Sequence, residues 1–194
     1  MYSYLEGKLI NKSPAQVTLD VNGVGYEVNI SLNTYSAVQS LDHCKLFIHL
    51  QVKEDSHTLF GFFDKQEKEM FQMLISVSGV GAATARMMLS YIKPEEIVQA
   101  IGSGNVRLLE SVKGIGKKTA ERLVLELKDK TTKIQIETGA KPVVYNSLET
   151  DSLNALMALG ISKVLAENAV KKVRIADSTI NNLEDLIKKA LKAI

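Results

Sequence analysis

The chain has 194 residues, of which 45% are hydrophobic and 24% charged, and a formal net charge of +2, a composition typical of a soluble globular protein of one to three domains. No apolar run approaches the ~18 residues of a membrane span, and the first residues lack a signal-peptide pattern, so we expect no membrane insertion and a cytoplasmic location. The single cysteine, Cys44, excludes an internal disulfide and is interpreted as an inert strand residue.

The charge is unevenly distributed along the chain. Residues 1–63 carry four basic and six acidic side chains, for a net charge of −2, whereas residues 64–130 carry eleven and nine, for a net charge of +2. A protein that held nucleic acid mainly by bulk charge would be more basic than this. Any nucleic-acid binding by this chain must therefore rely on local geometry.

The first 63 residues predict five β-strands. Apolar and polar residues alternate in "QVTLDV" and "YEVNI", and the Asn-Gly pair between them is a strong hairpin signal. The segment "SLNTYSAVQS" interrupts the strands as either a short helix or an irregular loop. Five strands with one interruption suit a small Greek-key barrel of the OB type.

From residue 64 the periodicity becomes helical. In "DKQEKEMFQMLISV" the residues Met70, Phe71, Leu74 and Ile75 share one face, and further helices are predicted at 83–91, 95–101, 105–111 and 117–129. Residues 131–147 lose this periodicity and are interpreted as a flexible linker, with a short edge strand as an alternative. Three short amphipathic helices follow within 148–194. The fold class is therefore α+β with several domains: a barrel at 1–63, an all-α domain at 64–130, the linker, and a three-helix domain at 148–194.

One short pattern occurs twice in the all-α region. Ser-x-x-Gly-aliphatic-Gly spans residues 76–81 and 111–116, and each copy opens a helix. Glycine allows a positive φ and close approach of another backbone, and the first N–H groups of a helix attract anions. The two copies thus predict two phosphate-binding turns, in which Val80 and Ile115 would point into the core. The alternative is a pair of turns used only for packing.

Nucleotide-binding loops fit this pattern poorly. A Walker A loop requires Ser or Thr directly after Gly-Lys, where this chain has Lys118, and the dinucleotide pattern requires a third glycine where Thr84 and Thr119 stand. Histidines without ligand spacing and the absence of a nucleophile motif predict no metal site, no cofactor and no catalysis. Two other classes remain open: a repair-nuclease subunit with a metal at Glu54 and Asp55, and a general DNA-binding module.

The glycine turns look like helix-hairpin-helix motifs, which grip the nucleic-acid backbone without reading bases. Together with the domain order, the stretches "VNGVGYEV", "VKEDSHTLFGF", "SGVGAATA" and "KGIGKKTAERLVLELKDK" resemble the RuvA family over the whole chain. The resemblance implies a subunit that binds four-way (Holliday) DNA junctions, holds them open and square, and serves branch migration in recombination and repair.

The resemblance also implies roles for individual residues. An acidic pin near the fourfold axis falls on Glu54 and Asp55, whose carboxylates would repel phosphates at the crossover. The first copy departs from the basic pattern because Ala82, Ala83 and Thr84 follow its glycines. Contacts to the DNA backbone fall on Gly79, Val80, Gly81, Gly114, Ile115 and Gly116, with side-chain contacts from Lys117, Lys118 and Arg122.

The implied partners are protein as well as DNA. The family forms a homotetramer, and either one tetramer or an octamer of two facing tetramers encloses the junction. Its C-terminal domain, matched here by 148–194, binds the hexameric ATPase RuvB, and RuvC resolvase is a further partner. The residues that bind the motor are not identified by spacing, because Leu153, Leu156, Met157 and Leu159 must also supply that domain's core.

Overall fold

The computed structural model describes residues 2–138, 147–177 and 180–193. The chain divides into two compact units, Met1–Gly139 and Ala140–Ile194. The first unit contains both the strands and the first six helices, and the second contains the last three helices.

The N-terminal strands close into a five-stranded barrel, as predicted. The strands are β1 (Tyr4–Ser13), β2 (Gln16–Val21), β3 (Val24–Ile30), β4 (His43–Val52) and β5 (His57–Phe62), in the order β1-β2-β3-β5-β4. All neighbours are antiparallel except β3 and β5. Asn22 and Gly23 both have positive φ, which fits the predicted hairpin. The segment "SLNTYSAVQS", for which both a short helix and a loop were predicted, forms a helix, α1 (Leu32–Val38).

Five further helices complete the first unit. They are α2 (Lys65–Ile75), α3 (Ala82–Tyr91), α4 (Pro94–Ser103), α5 (Val106–Glu110) and α6 (Lys117–Thr138). Pro94 is the first residue of α4, where its missing N–H costs least. The predicted face of α2 is correct: Met70, Phe71 and Leu74 are buried, and Ile75 packs against the same core.

The end of α6 differs from the prediction. The linker was predicted from residue 131, but residues 131–138 continue the helix. Thr131 is buried, and its hydroxyl donates to the carbonyls of Leu127 and Lys128 at 3.0 and 3.1 Å, which makes this hydroxyl residue compatible with a helix. The rest of the predicted linker, residues 139–146, lies outside the described residues.

The barrel and the helices have separate hydrophobic cores, but Phe60 and Phe62 of the barrel belong to the helical one. Phe71 of α2 contacts Phe60 and Phe62 of β5, with ring centroids 5.2 and 4.9 Å apart. The barrel and the helices are therefore packed against each other within the first unit, Met1–Gly139. Cys44 is buried in β4, and burial raises the pKa of its thiol to about 11, which disfavours the reactive thiolate.

A buried carboxylate links the same two parts. Glu67 of α2 accepts hydrogen bonds from the hydroxyls of Ser31 and Thr34, the latter at 2.7 Å, and all three side chains are buried. The Thr34 hydroxyl in turn accepts from the Phe63 N–H at 3.1 Å. Burial raises the pKa of Glu67, while these two hydroxyls oppose the rise. The charges of Asp64 and Glu95 raise it further.

The second unit is a three-helix domain, as predicted. Its helices are α7 (Ser147–Ala158), α8 (Lys163–Ala176) and α9 (Leu183–Ala193), and Gly160 with a φ of 88° separates the first two. Leu156 is buried and Leu153 packs against the core, whereas Met157 and Leu159 are exposed. None of the helices in the described part of the chain is long and apolar enough to cross a membrane.

Glu67→Gln should change how the stability of the first unit depends on pH. Because the pKa of Glu67 is raised in the folded chain, the folded state binds its proton more tightly, and stability falls as pH rises from the ordinary carboxyl value of 4.5 through the raised value. The Gln variant should lack this fall. Denaturant unfolding across that range measures it, with Glu69→Gln, an exposed carboxylate of the same helix, as the control. Coincident pH profiles for Glu67→Gln and the unaltered chain would contradict the assignment.

Candidate nucleic-acid interface

The two glycine patterns form the same turn. The Val80 N–H donates to Val77 O at 3.1 Å, and the Ile115 N–H donates to Val112 O at 3.0 Å. The third residue of each turn, Gly79 or Gly114, has a φ of 93° or 96°, as in a type II turn, which glycine adopts without strain. Val80 and Ile115 are only 5% and 4% exposed, so the prediction that they anchor the turns in the core is confirmed.

The turns leave specific backbone amides open. Because the amides of Val80 and Ile115 already donate inside the turns, they are poorly placed to bind a phosphate as well. The first bonds of α3 and α6 run from the Ala85 and Ala120 amides to the carbonyls of Gly81 and Gly116, both at 2.9 Å. The amides between these glycines and alanines therefore lack an intrahelical acceptor.

Both second glycines face open space. A Cβ built on Gly81 or Gly116 would meet nothing within 4 Å, and both residues are exposed. Glycine is thus not required there by the packing of the chain itself. It leaves room for a ligand to approach the start of each helix, where the dipole favours an anion.

The two motifs pack against each other reciprocally. A Cβ built on Gly79 would lie 3.8 Å from Thr119 Oγ1, and one built on Gly114 would lie 3.9 Å from Thr84 Cγ2. Gly79 and Gly114 are 35 residues apart, and so are Thr84 and Thr119. The two arrangements are therefore equivalent, with the two copies of the motif exchanging roles. Each turn is therefore packed against the helix that follows the other turn.

The basic side chains are not equivalent in the two copies. Lys117 and Lys118 are exposed at the start of α6, and Lys113 is exposed within the second turn, where the first turn has Ser78. Lys113 was not among the predicted site residues, although the 35-residue offset places it at a turn position. Arg122 donates to Ser78 O at 3.1 Å, and its Nε lies 3.8 Å from the Glu126 carboxylate.

Arg86 of α3 has a different position. Its guanidinium donates to Ala15 O at 2.9 Å and to Asn29 Oδ1 at 3.1 Å, so it joins α3 to the barrel. The pairing of Arg86 with Arg122 would require an offset of 36 residues, one more than the repeat. The two arginines therefore make different contacts: Arg86 with the barrel and Arg122 with the first glycine turn.

The predicted acidic pin lies in the turn between β4 and β5. The Lys53 N–H donates to Ser56 O at 2.8 Å, and the Ser56 hydroxyl donates to Asp55 Oδ1 at 3.2 Å. Glu54 and Asp55 are exposed at the tip of this turn. Across residues 2–138, 147–177 and 180–193, no three His, Cys, Asp or Glu side chains are grouped so that they could hold a metal ion.

Family models match the three parts of the chain. Residues 1–61 match the RuvA N terminal domain, residues 71–129 match a SAM-like helix-hairpin-helix tandem, and residues 147–194 match the RuvA C-terminal domain. The helix-hairpin-helix match covers both glycine turns.

Curated relatives match the full length. Proteins named Holliday junction branch migration complex subunit RuvA are 48% identical in Flavobacterium psychrophilum, over 99% of both chains, and 45% identical in Christiangramia forsetii, over 100% of both. The one from Bacteroides fragilis is 42% identical, again over 100% of both chains. With this identity over its whole length, and with the barrel, paired hairpins and three-helix domain in the same order, the chain belongs to the RuvA family.

Proposed function

We propose that this chain is a non-catalytic DNA-binding subunit that holds four-way junctions open and square for branch migration, in recombination and repair in the bacterial cytoplasm. The observation that carries the proposal is the pair of equivalent glycine turns, each opening a helix with unused amides and an unobstructed approach. The names of the curated relatives support the same role.

Backbone amides would supply the main contacts to DNA. A phosphate placed at the start of α3 or α6 would accept hydrogen bonds from several amides and interact with the helix dipole. Gly79, Gly81, Gly114 and Gly116 would let it approach, while Val80 and Ile115 hold the turns against the core. Such contacts do not distinguish bases, which suits a protein that must bind a junction of any sequence.

The second turn would add charge to this binding. Lys117 and Lys118 lie beside the amides at the start of α6, whereas the guanidinium of Arg122, one helical turn later, donates to Ser78 O. The first turn has Ala82, Ala83 and Thr84 at the corresponding positions of α3. The salt-dependent part of binding should therefore come mainly from the second turn.

The exposed acidic tip would act at the crossover. Carboxylates at Glu54 and Asp55 would repel the phosphates of DNA strands that lie against them. Separating the strands at the crossover would lower this electrostatic energy. In a homotetramer, four such tips would surround one axis and act on the same crossover. We propose the tetramer as the functional unit, with an octamer as the alternative on DNA.

The C-terminal unit would bind the hexameric ATPase RuvB, and RuvC resolvase is proposed as a further partner. Its core uses Leu156, so the apolar residues left for a partner are those on the surface. Several of them lie at the corner between α7 and α8: Met157, Leu159, Val164 and Leu165. Exposed apolar side chains grouped in this way are typical of a protein-binding surface.

The decisive test compares affinity for a four-way junction with affinity for linear duplex of equal sequence. Because a junction engages both turns of several subunits at once, it should bind at least about tenfold more tightly. Equal affinities would contradict the proposal and favour a general DNA-binding module. Magnesium-dependent cleavage that Glu54→Ala abolishes would instead favour a nuclease subunit.

Two double variants should separate amide contacts from lysine contacts. Gly81→Ser with Gly116→Ser fills the approach and lets each hydroxyl accept from a helix amide, so affinity should fall about tenfold per turn while stability is kept. Lys117→Ala with Lys118→Ala should instead reduce the slope of log affinity against log salt by about one per lost phosphate contact. Titrations at several salt concentrations measure both. Unchanged junction affinity in the serine variant would refute binding at the helix starts.

Neutralising the acidic tip should alter the junction more than its affinity. Glu54→Gln with Asp55→Asn removes both charges but keeps an oxygen to accept from Ser56. Junction affinity should stay equal or rise, since repulsion of phosphates is lost, while the arms spend less time in the open square form. Energy transfer between dye-labelled arms measures this. A loss of affinity would refute the repulsion argument.

A further inference from the structure

The lysine-free turn receives support that the other turn does not. Arg122 of α6 donates to the carbonyl of Ser78 in the first turn at 3.1 Å. The residue 35 positions earlier, which would do the same for the second turn, is Met87, and a methionine side chain has no N–H or O–H to donate. The pseudo-symmetry of the two motifs is therefore broken at this position.

The Ser78 carbonyl is a meaningful point of contact. It belongs to the central peptide of the turn, between Ser78 and Gly79, and rotation of this peptide is what converts a type II turn into a type I turn. In a trans peptide the C=O and the N–H point in opposite directions. A hydrogen bond that holds Ser78 O therefore also fixes the direction of the Gly79 N–H.

Thr119 of the same helix contacts the same turn. Its Oγ1 and Cγ2 would lie 3.8 and 4.0 Å from a Cβ built on Gly79, so the threonine borders the side of that glycine where a Cβ would stand. Thr119 and Arg122 are three residues apart on α6 and so lie on one face of the helix. Two side chains of the second motif, Thr119 and Arg122, thus lie next to the first glycine turn.

We propose that Arg122 and Thr119 are positioning residues for the first glycine turn, fixing its amides in the orientation that binds phosphate. The inference rests on the proposed function and deepens it. The helix that carries Lys117 and Lys118 stabilises the turn that lacks lysines, and the second motif therefore acts at both phosphate sites. In this role Arg122 works through Ser78 and is not itself a ligand of the DNA.

The two turns give a matched pair of probes in the protein without DNA. Hydrogen exchange at the Val80 amide reports the first turn, and exchange at the Ile115 amide reports the second. Arg122→Gln should accelerate exchange at Val80 roughly fivefold, the effect of losing one hydrogen bond, and leave Ile115 unchanged. Thr119→Ser should likewise act on Val80, whereas Thr84→Ser should act on Ile115.

Junction binding by the full chain supplies the second measurement. Arg122→Gln should weaken binding several-fold at every salt concentration, with the same salt slope as Lys130→Gln, which removes one charge from the same helix. Unchanged exchange at Val80 would overturn the inference. A slope reduced by about one would then identify Arg122 as a direct phosphate ligand. If the unaltered chain bound junction and duplex equally, the proposed function would fail, while the exchange rates would still decide whether Arg122 positions the turn.

Discussion

The packing of Phe71 against Phe60 and Phe62 is the contact on which the rest of the first unit depends. These three rings join the last strand of the barrel to the first helix of the hairpin region. The turn that carries Glu54 and Asp55 begins where β4 ends and leads directly into β5. The acidic tip and the glycine turns therefore belong to one compact unit, in which packed side chains and not a flexible link set their separation.

The proposed contacts from backbone amides would allow a nearly neutral protein to bind DNA. Amides and helix dipoles contribute positive potential without adding to the net charge of +2. They also do not screen the carboxylates at the barrel tip as a dense field of lysines would. The proposed interface would attract phosphates at two helix starts and repel them at the acidic turn, and a low overall charge would keep these opposing potentials local.

Sequence reasoning predicted the barrel, the helix starts and both glycine turns, because these follow from local signals: alternation, Asn-Gly and Gly-x-Gly. It missed features that depend on residues distant in the chain. Glu67 appears from the sequence to be an ordinary charged helix residue, and only folding brings Ser31 and Thr34 to it. The use of the Val80 and Ile115 amides inside the turns and the contact of Arg122 with Ser78 likewise depend on three-dimensional proximity. The helical continuation through Thr131 was missed because its hydroxyl was counted only as a loop signal.

The two copies of the motif are alike in the turn itself and differ around it. Thr84 and Thr119 occupy equivalent places beside Gly114 and Gly79, and both glycines have nearly the same positive φ, so the two turns are similar in shape. At other positions the copies differ: lysines follow one turn and alanines the other, and Arg122 stands where the first copy has Met87. A turn without lysines loses attraction at long range but keeps its short-range amides. What it then requires is a fixed orientation, and a hydrogen bond to its central carbonyl supplies that directly.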